Sequence, residues 1–128
     1  EATIDVRGTH VRVFNTHLDY RPALAVRRQQ VAESLVIIGE LTTPTLMFGD
    51  LNAGPEAPEL QPLLARLRDS WPASNGPGLT YPSDTPVKRI DFVLTSGHFR
   101  AGAARVPATQ ASDHRPVVVD LVGGQTHS

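Results

Sequence analysis

PALAVRRQQVAESLVIIGELTTPTLMFGDLN, residues 22–52, carries two periodicities in succession. Leu24, Val31, Leu35 and Ile38, with Ala25 and Ala32, recur at helical spacing, and Pro22 suits a first helical turn, so residues 22–41 are expected to form a helix. Thr45-Leu46-Met47-Phe48 is too short an apolar run for a helix and is closed by Gly49-Asp50, which predicts a buried strand running into a functional loop. A helix feeding a buried strand implies a crossover connection.

Upstream, residues 3–7 and 10–16 alternate β-branched and polar side chains on either side of Gly8-Thr9, the pattern of a hairpin. His17 then falls at a strand end. Downstream, residues 58–67 suggest a second, shorter helix with Leu60, Leu63, Leu64 and Leu67 on its apolar face. Trp71 beside it is expected to be core rather than a substrate platform. Residues 72–86 hold four of the eleven prolines and mark a long surface loop. Residues 89–95 and 115–121 are further strand candidates, the second with Val117, Val118 and Val119 in sequence as in a sheet covered on both faces. The order favours an α/β (α+β layered) domain over residues 1–122, with residues 123–128 as a frayed tail.

The chain has 128 residues, a formal net charge of −1 and no cysteine. A dedicated basic coat for nucleic acid is thereby disfavoured, and disulfides, thiolate metal sites and cysteine nucleophiles are excluded. Glu1-Ala2-Thr3-Ile4-Asp5 has neither the basic start nor the apolar run of a signal peptide. With no initiator Met, the beginning is expected to be an internal cut or a processed end; compartment is undecided.

The residues able to do chemistry gather in Asn15-Thr16-His17-Leu18, Gly49-Asp50-Leu51-Asn52, Arg89-Ile90-Asp91-Phe92 and Ser112-Asp113-His114-Arg115-Pro116, each where a strand should meet a loop. Asp50 and Asn52, two positions apart in an extended loop, project to one side, as holding a hard cation or its water requires. An isolated GDxN equally suits an Asx turn. Asp113 and His114 offer a carboxylate beside an imidazole, although Ser112-Asp113 could be only a turn and His114 a surface residue. Asp91 lies between apolar neighbours and needs a partner, either an imidazole or Lys88 or Arg89. His17 could donate to a phosphoryl oxygen, and Arg115 could meet a phosphate.

NTHL, GDLN, RIDFVLTS and SDHRPV, in this order, resemble the C-terminal motifs of the endonuclease/exonuclease/phosphatase superfamily, from about Val11 to Leu121. The resemblance implies half of a four-layer αββα sandwich, a sheet flanked by helices, and a Mg²⁺-dependent (or Mn²⁺-dependent) phosphoester hydrolase working by in-line attack of water. It implies catalytic roles for His17, Asp50, Asn52, Asp91 and His114, and metal contacts from Asp50, Asn52, Asp113 and His114. The implied substrate is a phosphate ester of a nucleic acid, an inositol phosphate or a phospholipid headgroup. The family's earlier half, with an asparagine and a metal-binding glutamate, has no counterpart here. The open sheet face is therefore expected to meet that N-terminal half or a second copy of the chain. The alternative is a catalytically incomplete half-domain acting as a binding or dimerising module.

Overall fold

In the computed structural model, residues 2–6, 9–18 and 24–122 are described. The expected turn at Gly8, Pro22 at the helix start and the tail at 123–128 lie outside them. Strands β1 (Ala2–Val6) and β2 (Thr9–His17) form the expected antiparallel hairpin. Helix α1 (Leu24–Ile38) crosses to β3 (Thr45–Asp50), which lies parallel to β2. Helix α2 (Gln61–Arg66) and a two-residue strand, β4 (Arg68–Asp69), precede β5 (Asp91–Thr95). These strands make one sheet in the order β1-β2-β3-β5-β4. Strands β6 (Arg100–Arg105) and β7 (Val118–Val122) form a separate antiparallel pair.

The core lies between the larger sheet and the helices. Phe14, Met47, Phe92 and Leu94 from the sheet pack with Val31 and Ile38 of α1 and with Leu60, Leu63 and Leu67. Directly opposed residues in a sheet share a face, and Phe14, Met47 and Leu94 are such a row. Helix α1 stops short of Leu41 because Gly39 takes φ +64° while its N–H bonds back to Leu35 O at 3.0 Å. Its outer side ends on two exposed apolar residues, Val36 at 82% and Ile37 at 60%. The second predicted helix divides: Pro58–Leu60 is a 3₁₀ turn, and α2 proper begins at Gln61. Pro62, which has no N–H to donate, sits in its first turn, where that donor is spare.

Two expectations change at the C-terminal end. The strand predicted at 115–121 begins at Val118, and Val117, Val118 and Val119 are only half-buried, because β7 belongs to a two-stranded sheet instead of the centre of a large one. Its partner β6, Arg-Ala-Gly-Ala-Ala-Arg, contains no β-branched or aromatic residue, so propensity gave no signal for it. Trp71 is half-buried rather than core. It stands in a loop, with its indole N–H donating to Gly76 O at 2.9 Å.

The face of the large sheet away from α1 is uncovered by helix. Val13 opposes Leu46, and Asn15 opposes Phe48, which opposes Val93. Phe48 is 39% and Ile4 46% exposed on this side.

Candidate active site

The register that builds the core also builds the site. His17 opposes Asp50, and Asp50 opposes Asp91, so these side chains form one row across β2, β3 and β5 at the end of the open face. Asp50 Oδ2 lies 3.4 Å from His17 Nε2 and 3.5 Å from His114 Nε2. His114 Nδ1 meets Asp91 Oδ2 at 2.7 Å. An unbroken line thus runs Asp91, His114, Asp50, His17.

Gly49 permits the close packing behind this row. It has φ +143°, and a Cβ there would lie 1.9 Å from Thr16 O. Gly49→Ala is expected to cost about 2–3 kcal/mol through backbone strain and overpacking, read from the midpoint of urea unfolding.

The turn readings hold, and the turns leave other side-chain atoms facing the cluster. Asp50 Oδ1 accepts from Asn52 N at 2.8 Å in an Asx turn, with Asn52 at φ +50°, while Oδ2 faces the histidines. Asn52 Nδ2 donates to Leu18 O at 2.7 Å. Ser112 Oγ likewise accepts from His114 N at 3.2 Å while the ring bonds Asp91. Asp91 is not paired with its basic neighbours: Arg89 binds Asp69 at 2.5 Å and lies 4.7 Å over the Phe92 ring. Asp113 is exposed, with Oδ1 3.3 Å from Ser112 Oγ, and stands outside the close cluster of Asp50, Asp91 and His114. Arg115 is held by the loop, its Nε donating to Ser83 O at 2.7 Å.

One neighbour had no assigned role in the sequence. The Tyr81 ring lies 4.8 Å from that of His114 at 50°. Ser83 N bonds Asp113 O at 2.8 Å and Arg115 N bonds Thr80 O at 2.7 Å, so residues 80–83 strap the 113–115 segment against the sheet. The aromatic residue inside Gly-Leu-Thr-Tyr-Pro was the available signal. A cleft of about 470 Å³ opens here, lined by Phe48, Asp91, Val93, Ser112, His114 and Pro116 among others.

Burial raises the Asp50 carboxyl above the ordinary range; the Asn52 hydrogen bond opposes this, nearby Asp91 adds to it, and the histidines oppose it. For His114, burial acts downward, but the Asp91 hydrogen bond and the charges of Asp91, Asp50 and Asp113 leave it raised. Both shifts make the folded state hold more protons. The contribution of His114 is fully present below about 6.5, the unfolded value, and is lost as pH climbs through the folded one; that of Asp50 behaves alike from about 3.9 upward. His114 should therefore titrate above the ordinary imidazole range by NMR. Asp91→Asn should lower its midpoint; an unchanged midpoint would contradict the pairing.

The chain matches the profile of the Endonuclease/Exonuclease/phosphatase family over residues 2–114 and belongs to that family. Its fold is that of solved family structures. Against the endonuclease/exonuclease/phosphatase from Bacteroides vulgatus the TM-score is 0.78 at 20% identity, covering 92% of this chain and 51% of that one. Against the Beutenbergia cavernae protein it is 0.67 at 29% identity, covering 95% and 38%. The catalytic domain of human Nocturnin, solved with a bound sulfate anion, gives 0.72 at 20% identity, covering 95% and 51%. The chain thus spans about half the length of the Bacteroides vulgatus and Nocturnin structures. No curated protein matches it in sequence. Among the described residues, no helix is long and apolar enough to cross a membrane.

Proposed function

We propose that the chain carries the acid–base half of a metal-dependent phosphoester hydrolase. The observation that supports this best is the line Asp91, His114, Asp50, His17 at the mouth of an open cleft. Asp91 accepts from Nδ1 and fixes the imidazole, leaving Nε2 facing Asp50 as a proton acceptor. Water placed between Asp50 and His114 gives up a proton to this pair as its oxygen bonds to phosphorus, and the bond to the leaving oxygen breaks in line. His17 and Asn52 meet the phosphate oxygens, where negative charge builds.

Asp50, Asp91 and His114 bring ligand atoms within 4.8 Å of one another, and the carboxylates among them are the oxygen ligands that Mg²⁺ or Mn²⁺ takes. In this reading Asp50 would hold the ion, with Asn52 and Asp113 completing its protein contacts, and Nε2 of His114, the one ring nitrogen not bonded to Asp91, is left for the proton. Such an ion supplies charge neutralisation at the phosphate.

The substrate class is a phosphate ester. The open face carrying Phe48 accepts the family's N-terminal half, which supplies the remaining ligands. Mixing the chain with such a half should give hydrolysis of bis-p-nitrophenyl phosphate that EDTA removes and Mg²⁺ restores. Turnover indifferent to EDTA would overturn the metal reading, and no turnover from a verified one-to-one complex would overturn hydrolysis. The exposed Phe48 and Ile4 also favour a second reading, a dimerising half-domain. Sedimentation of the chain alone separates the two: a stable homodimer that excludes the N-terminal half supports the module, and a monomer that takes it up supports the enzyme.

A further inference from the structure

A second and larger cleft, of about 770 Å³, lies between the turn that follows β3 and the loop that precedes β5. Its lining includes Asn52, Glu56, Trp71, Leu79, Lys88 and Ile90. The size is that of a small-molecule site. Asn52 belongs both to this wall and, through its hydrogen bond to Asp50, to the row of catalytic candidates.

The aromatic surface is set in place beforehand. Trp71 N donates to Asp69 Oδ1 at 3.1 Å, its indole N–H to Gly76 O at 2.9 Å, and Gly78 packs so close that a Cβ there would lie 2.7 Å from ring atom Cε2. The charges of the lining balance. Asp69 and Arg89 pair with each other, whereas Glu56 and Lys88 form no ion pair among the described residues. A polyanionic strand calls for excess positive charge, which this wall does not have. A purely apolar guest would strip water from Glu56, Lys88 and Asn52 without replacing its hydrogen bonds.

We propose that this cleft is a subsite for a neutral, hydroxyl-bearing ring, a pyranose. Its C–H surface lies along Trp71 and Leu79, and its hydroxyls meet Glu56 and Lys88. The inference rests on the phosphoester reading in one respect: with the phosphate at Asp50 and His114, the esterified alcohol extends past Asn52 into the cleft.

Trp71 is the only tryptophan of the chain, so its fluorescence reports occupancy without any need for turnover. The chain, checked for folding by circular dichroism, is titrated separately with methyl hexopyranoside, hexose 6-phosphate, inorganic phosphate and a dinucleotide. Both hexose ligands should change the Trp71 emission saturably and inorganic phosphate should not. Glu56→Ala and Lys88→Ala, both at exposed positions, should each weaken the neutral glycoside about tenfold, the scale of a lost hydrogen bond to a charged group. Emission unmoved by either hexose, moved by the dinucleotide alone, or moved equally in both variants would overturn the proposal. Phosphorus NMR of the bound phosphate in His114→Ala reads the other site separately. Loss of phosphate binding there with glycoside binding intact supports both assignments, and phosphate held as before would count against the phosphoester reading alone.

Discussion

His114→Ala, in the chain joined to the family's N-terminal half, is expected to lower kcat for phosphoester hydrolysis by about 10²–10⁴-fold, the usual worth of a positioned acid–base group. The fold should survive, since the ring is partly exposed and its main ties are to Asp91 and Asp50. The more telling variant is Asp91→Asn. It leaves the imidazole in place but removes the carboxylate that fixes the ring and raises its basicity. In the pH profile of kcat, the ascending limb should move to lower pH as the His114 midpoint falls. Steady-state rates across pH measure this, and a profile identical to that of the parent would exclude His114 as the proton acceptor.

Arg27→Met is expected to destabilise the fold by about 3–5 kcal/mol, the cost of leaving one partner of a buried ion pair uncompensated. Arg27 Nε donates to Glu59 Oε2 at 2.7 Å across α1 and the 3₁₀ turn, and their side chains are 11% and 4% exposed. Burial pushes the Glu59 carboxyl upward, but its own backbone hydrogen bond and Arg27, with help from Arg28, leave it below the ordinary range. A depressed carboxyl contributes stability above its unfolded value of about 4.3, which is lost as pH falls through the folded one. In urea unfolding, the parent should therefore lose stability on acidification and Arg27→Met much less. Removing both charges with Arg27→Met and Glu59→Leu together should recover most of the loss, because no buried charge is then left alone.

Much of this was legible in the sequence, and unevenly so. The crossover from α1 to β3 was written in periodicity, since helix and strand bury different spacings of the same residue types. The hairpin and β5 were legible for the same reason. Strand β6 was not, because Ala101, Gly102, Ala103 and Ala104 have small side chains that carry no strand signal. Among the site residues, Asp91 betrayed itself as a carboxylate among apolar neighbours, and the structure gives it His114. The balance of roles at Asp50 was not readable: one carboxylate oxygen closes a turn while the other faces two histidines, and only the folded register separates those oxygens. Asp113 was placed in the metal set by resemblance, yet its side chain stands outside the close cluster. Trp71 was misassigned because an aromatic beside leucines usually buries its ring. Here Gly78 and Gly76 hold the ring in a loop instead.

The alternation of β3 has a consequence for how such a protein can change. Met47 looks into the helices while its neighbour Phe48 and, two steps on, Asp50 look the other way. Positions that keep the sheet folded and positions that line the candidate site are therefore adjacent in the gene but segregated in space. New chemistry can be tried on one face while the other continues to pack. A slip of β3 by a single residue, by contrast, would turn Asp50 into the core and Met47 into water together. Innovation on this scaffold is thus open to substitution and closed to insertion.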